Sequence, residues 1–102
     1  MTDQELLLIM NGIVKVARPV SADELKIESL DTLIKDTGLD SLDFLMVGVY
    51  LSDIYGVSEE DVKLMKLTEE STIRDVFEFM FKHSTQTPKT VEEALENVKW
   101  FT

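Results

Sequence analysis

Midway along the chain, Gly38-Leu39-Asp40-Ser41-Leu42-Asp43-Phe44-Leu45 joins a break, a cap and the start of an apolar helix, and this junction constrains everything around it. Leu42, Leu45, Met46, Val49 and Ile54 follow at broadly helical spacing, so a helix is predicted over about Ser41 to Tyr55, with Gly56 placed to end it. Either Asp40 or Ser41 can cap its first turn, because the first amides of a helix have no partner within it. Ser41 therefore stands at, or just inside, a helix N-terminus. The unpaired amides and the positive end of the helix dipole there favour a phosphate on a serine hydroxyl, by roughly 0.3 to 1 kcal/mol per exposed negative charge. Two readings stand: an ordinary cap, or an attachment point.

The flanking stretches are helical too. Thr2 and Glu5 have the spacing of a capping box, and a first helix is predicted from Thr2 or Asp3 to the stop at Pro19. Leu6, Ile9, Met10, Ile13 and Ala17 form its buried stripe, widened by Leu7 and Val14, which suits a bundle. Lys15 and Arg18 complement its C-terminal dipole. Residues 19–40 form a long connection in which Leu25, Ile27, Leu30, Leu33 and Ile34 recur, so it packs on the domain instead of trailing as a linker. Short helical turns are predicted at 22–25 and 30–35. After Gly56, Ser58 caps an acidic turn, Glu59-Glu60-Asp61, that opens a short third helix to about Met65 or Lys66, with Val62 and Met65 inward.

Ser71 or Thr72 caps a fourth helix whose inward residues are Ile73, Val76, Phe77 and Met80. Phe79 and Phe81 point away from that face, and an aromatic flank on an acidic domain needs cover. A polar break at 84–89 precedes Thr90 and Glu93, a second capping-box pair, and Val91, Ala94, Leu95, Val98 and Phe101 share one face of a last helix, with Trp100 opposite. This helix is expected to fold back near Phe79 or Phe81, or over the apolar part of the second helix. The organisation is thus a bundle over 1–83, a short linker at 84–89 and an appended helix over 90–102, in one domain overall.

Composition narrows the function. A chain of 102 residues with 44% apolar content buries one modest core. Twenty acids against ten bases leave a formal charge of -10, which disfavours nucleic acid and anionic membranes and suits basic protein surfaces. Cysteine is absent, so disulfides and thiolate metal sites are excluded, and a cytoplasmic setting is expected. No apolar run reaches bilayer length, and the first five residues are acidic where a secretory signal is basic.

Catalytic constellations are equally sparse. Ser41 as a hydrolase nucleophile needs a base, and the one histidine, His83, falls at the end of the fourth helix, where the dipole accounts for it. The nucleophile-elbow pattern and phosphate-binding glycine loops are missing, and Asp36, Asp40 and Asp43 lack the spacing of a calcium loop. Neither an enzyme nor a metal site is expected.

Asp40-Ser41-Leu42-Asp43, with Gly38-Leu39 before it and an apolar helix ending at Ile54-Tyr55-Gly56-Val57, resembles the prosthetic-group motif of the acyl carrier proteins. The resemblance extends over roughly residues 3 to 83. It implies an all-α, acyl-carrier-like four-helix bundle with a long first loop, here with an additional C-terminal helix. It also implies 4'-phosphopantetheine attached covalently to Ser41, with Asp40 and Leu42 flanking, and acyl intermediates held as thioesters. A phosphopantetheinyl transferase would install the arm. Acyl-loading and acyl-transferring enzymes with basic docking patches would be the other partners of a monomeric, cytoplasmic carrier in a specialised lipid, lipopolysaccharide or secondary-metabolite pathway.

In that family the second helix presents its exposed face to partner enzymes. Asp43 matches an acid of the family pattern, but further along stand Met46, Val49, Tyr50 and Ser52, with only Asp53 acidic. This face is either covered by the long loop or the C-terminal segment, or it serves a changed set of partners. Glu59, Glu60 and Asp61 resemble the family's acidic third-helix docking region, although first-turn acids also complement the dipole. Gly48, mid-helix, costs about 1 kcal/mol relative to alanine. It permits close packing of a neighbouring helix or leaves room for a bound acyl chain. The appended helix is a stabilising cap, a dimer contact or a docking element. The alternative from another class is a helical interaction module that binds a partner in an apolar groove and carries no prosthetic group.

Overall fold

The local signals for helix starts are realised as side-chain caps. In the computed structural model, which describes residues 2–17, 27–68 and 70–99, the helices are α1 (Asp3–Ala17), α2 (Ser41–Tyr55), α3 (Glu59–Val62), α4 (Ile73–His83) and α5 (Val91–Lys99). The expected Thr2 and Glu5 box opens α1, with the Thr2 amide donating to Glu5 and the Glu5 amide to the Thr2 hydroxyl, both at 3.2 Å. Thr72 and Asp75 form the same reciprocal arrangement on α4, and Ser58 caps α3. Thr90 accepts from the Glu93 amide at the start of α5, but the Glu93 carboxylate turns to the Lys89 amide, one residue before the cap. Gly56, at φ 64°, takes the left-handed conformation that ends α2 at low cost because it has no Cβ.

The described residues are all-α apart from one 3-10 turn and an isolated bridge. They gather around one core, and the Cα radius of gyration of 12.4 Å is close to what a single domain of this length reaches. Leu6, Ile9, Met10, Ile13 and Val14 of α1 meet Val47, Leu51 and Ile54 of α2 and Ile73, Val76, Phe77 and Met80 of α4. The inward residues expected on α1 and α4 are buried, except that Leu7 is half-buried and the side chain of Ala17 lies outside the described residues. The Ala17 backbone completes α1.

The long connection is pinned from two sides. The Asn11 side chain reads the backbone of Ile27 in both directions, Nδ2 donating to the carbonyl and Oδ1 accepting from the amide, each at 2.8 Å. Further on, Leu33 bridges Thr72, and the amides of Ile73 and Arg74 donate to the carbonyls of Thr32 and Leu30. Arg74 then joins three elements by pairing with Asp31 at 3.0 Å and Asp3 at 2.9 Å. These contacts bury Ile27 and Leu30 and carry the chain to Gly38, whose φ of 81° turns it into α2.

Four expectations are corrected. The turn expected at 30–35 is a 3-10 turn at Ile34–Asp36, because the bridge to Thr72 holds Leu33 extended. The α-helical part of the third helix stops at Val62, since the next amides take i to i−3 bonds, Leu64 to Asp61 and Met65 to Val62. Of the two seats expected for the last helix, the one on the second helix is realised in part and the one at Phe79 and Phe81 is not: α5 meets α2 at the Ile54 end but packs chiefly on α1. The reason is Gly12, where a Cβ would lie 2.7 Å from a Leu95 methyl, so the missing side chain on α1 is what admits α5. Phe81 instead lies edge-on against Tyr55 at 5.3 Å, and Phe79 stacks with His83 at 4.5 Å. Finally, 84–89 is no free linker, since Thr85 and Gln86 hydrogen-bond to the end of α2. Expectations for Arg18, Pro19, 22–25, Trp100 and Phe101, and for the side chain of Val98, lie outside the described residues.

Candidate functional site

The capping question at the head of α2 has a definite answer, and it leaves Ser41 unoccupied by structural duty. Asp40 is the N-cap: its Oδ1 accepts from the Asp43 amide at 2.8 Å, and the Asp43 carboxylate accepts from the Asp40 amide at 3.1 Å. Because both carboxylates serve the cap, Ser41 is the first helical residue and not the capping one. Its side chain is exposed, and its hydroxyl makes no hydrogen bond to a described residue. The first helical amides beside it have no intrahelical acceptor, so the local field favours negative charge.

Beside Ser41 lies an open groove of about 540 Å³ between the 3-10 turn, the start of α2 and the connection after α3. Ile34, Leu39, Phe44 and Leu67 make it largely apolar, and Lys35 supplies a cation at its edge. Polar attachment point, neighbouring cation and apolar trough are what a phosphate-linked, partly apolar adduct requires. The residues present fit such a group. Lys35 carries no signal of its own in the sequence, because only the Leu33 bridge brings the 3-10 turn alongside Ser41.

The expected docking residues divide. Asp53, Glu59 and Glu60 are exposed, Val49 is 50% exposed, and Met46 and Asp61 are half-buried. Tyr50, expected either covered or facing partners, is 7% exposed and packs in the core, so it is no docking residue; the exposed position expected for Asp43 is overturned, since it is 5% exposed with its carboxylate folded back onto the Asp40 amide. Leu42 and Leu45, at 65% and 64% exposure, take their place, so the outer strip of α2 reads Leu42, Leu45, Val49 and Asp53. Neither the described part of the long loop nor α5 covers those three apolar side chains. By spacing Leu45 belongs to the apolar run of α2, and only its angular position relative to Val47 and Leu51 turns it outward.

His83 is engaged elsewhere, its Nδ1 lying 3.8 Å from the Asp61 carboxylate with its ring on Phe79. Among the described residues there is no group of three or more His, Asp or Glu side chains suited to hold a metal, and no helix is long and apolar enough to cross a membrane.

Further along α2, Gly48 in the middle and Tyr55 at the end are both buried. Gly48 is buried, yet beyond its own stretch of helix no described atom lies within 4 Å of a Cβ built there, so no described neighbour packs close enough to require a glycine. The Tyr55 hydroxyl is buried with no hydrogen-bond partner, and burial pushes its pKa up to about 12. No protein-family model, no curated protein and no solved structure matches this chain.

Proposed function

We propose that this protein is a carrier that holds acyl groups on a 4'-phosphopantetheine arm attached to Ser41. The observation that carries the reading is the division of labour at the head of α2: Asp40 and Asp43 cap the helix, and the exposed Ser41 hydroxyl is left free beside an apolar groove. Attachment requires a hydroxyl whose loss of its proton costs the fold nothing, and this one has no structural bond to lose. The arm, once joined, supplies a terminal thiol for thioester linkage. The chain's own residues do the rest: the first-turn amides and Lys35 accommodate the phosphodiester, and Leu39, Phe44 and Leu67 offer apolar surface to the cargo.

The partners in this reading are a phosphopantetheinyl transferase and acyl-loading or acyl-transferring enzymes. They would meet Leu42, Leu45 and Val49, with Asp53, Glu59 and Glu60 steering basic surfaces by charge. The protein itself performs no catalysis in this scheme, works in the cytoplasm, and inserts in no membrane. A fold like that of the acyl carrier proteins, with α5 as a stabilising addition on α1, accompanies the same reading.

One observation favours a second reading. The exposed Leu42, Leu45 and Val49 strip would equally serve a helical interaction module with no prosthetic group. Intact mass after incubation with coenzyme A and a competent transferase separates the two. The carrier predicts a gain of one phosphopantetheinyl unit on the native chain and none on Ser41→Ala; an unchanged native mass leaves the interaction module.

A further inference from the structure

At the end of α2 away from Ser41, a cleft of about 290 Å³ opens between the last turn of that helix, the returning segment 84–89 and α5. Its floor is apolar, made by Ile54 at 3% exposure, Ala94 at 1% and the buried Pro88. Its walls carry acceptors. Gln86 spends its side-chain N–H groups on the carbonyls of Asp53 and Ile54, at 3.0 and 3.1 Å, which leaves its side-chain oxygen with capacity to spare. Glu93 is held through one oxygen by the Lys89 amide at 3.1 Å, and its other oxygen accepts nothing from a described residue. The Glu96 carboxylate, one turn further along α5, accepts no hydrogen bond and forms no ion pair among the described residues.

The charge at this cleft is unanswered. Glu93 and Glu96 stand on neighbouring turns, and among the described residues no basic one lines the cleft. The last turn of α2 adds the negative end of its dipole, and that turn contains no basic residue, whereas the last turns of α1 and α4 carry Lys15 and Lys82 with His83. The positive end of α5 is met by Glu92 and Glu93 in its own first turn. An anion is therefore repelled, and a neutral apolar group would take water from the acceptors with nothing in exchange. An ammonium brings three donors and needs no acceptor. A lysine side chain joins that head to an apolar stem, which matches the floor of Ile54, Pro88 and Ala94.

We propose that this cleft is a docking pocket for a lysine side chain on the surface of a partner protein, with its stem on the apolar floor and its ammonium at Glu93 and Glu96. The excess of acids over bases in the whole chain draws basic protein surfaces toward it. The cleft is at the small end of ligand sites, with room for one long side chain and not for a folded segment. It does not rest on the carrier reading. It lies about 20 Å along α2 from Ser41, so a partner held here leaves that serine accessible.

The test is a titration of the 15N-labelled full chain with the peptide acetyl-glycyl-lysyl-glycinamide at low salt, followed at the amides of Ile54, Gln86, Glu93, Ala94 and Glu96. Saturable shifts at those amides are expected, and none with the same peptide acetylated on the lysine amine. Glu96→Gln removes a carboxylate that bonds nothing in the fold and should weaken the peptide about threefold, the size of an exposed ion pair. Glu93→Gln keeps an acceptor for the Lys89 amide and should weaken it by a similar factor. Absence of saturable shifts at those amides, equal shifts from the acetylated peptide, or native affinity in both variants overturns the pocket. Saturation by 1-aminopentane with none by the peptide makes the cleft a site for a free amine and overturns the docking of a partner. None of these readouts depends on loading at Ser41.

Discussion

At its N-terminus α2 is closed by its own first turn, Asp40 and Asp43 bonding each other's amides, whereas at its C-terminus it is closed by residues brought back from beyond α4. There the Thr85 and Gln86 amides donate to the Tyr55 carbonyl, the Thr85 hydroxyl to the Gly56 carbonyl, and the Gln86 side chain to Asp53 and Ile54. The contrast explains how one helix serves as both pillar and platform. A local cap asks nothing of neighbouring elements, so the surface around Ser41 stays open, while the distal end is tied down and keeps the platform still. Chemistry at an exposed group works best on an element held rigid elsewhere.

The comparison makes predictions that can break it. The largest effect belongs to the tied end. Gly56→Ala places a Cβ on a left-handed residue and against the Thr85 hydroxyl, and should cost about 3 kcal/mol in denaturant unfolding, since the left-handed conformation alone accounts for roughly 1–2. A loss no greater than that of an unconstrained loop glycine would mean that Thr85 and Gln86 do not secure this end.

Next in size is an alkaline transition. Burial pushes the Tyr55 pKa from 10.0 up to about 12, so the folded state keeps a proton that the unfolded chain gives up. Its contribution is fully present below pH 10 and is lost as pH rises toward 12, amounting to roughly 2–3 kcal/mol across that window. Tyr55→Phe should flatten the stability profile there. An identical alkaline loss in both proteins would place its origin elsewhere.

The open end sharpens the contrast with smaller effects. Asp40→Ala should cost about 1 kcal/mol as the lost cap of α2, while Ser41→Ala, one residue on, should change stability by less than about 0.5 kcal/mol by thermal unfolding. Comparable losses from the two would mean that Ser41 shares the capping work and is not free. Between the two ends, Gly48→Ala should stabilise by about 0.5–1 kcal/mol, because helix propensity improves and no described atom obstructs the new methyl. Destabilisation would restore the close-packing explanation for this glycine.

Much of this architecture was legible because helix termini are local events. Thr2 with Glu5, Asp40, Ser58, Thr72 and Gly56 act through amides within four residues of themselves, and spacing located them, except that it left Asp40 or Ser41 and Ser71 or Thr72 open. The buried stripes of α1 and α4 were equally readable from period. Asn11 and Arg74 were not, for their partners, Ile27, Asp31 and Asp3, lie far along the chain and no pattern announces them. The same blindness missed α1 as the main neighbour of α5, although the contact with α2 was among those expected. Its apolar face was evident, but the small residue that admits it, Gly12, carries no apolar signal at all.

The amino-acid sequence by itself determined where helices start to within a residue, which faces of α1 and α4 turn inward, and that Ser41 sits at a helix head, because hydrogen bonds and apolar periods within one turn settle these matters. Only the tertiary structure decided that Tyr50 turns inward while Leu42 and Leu45 remain outside, that Lys35 borders Ser41, and that the Tyr55 hydroxyl is buried without an acceptor. Those outcomes depend on how elements distant in the chain divide the same space, and burial is a property of that division.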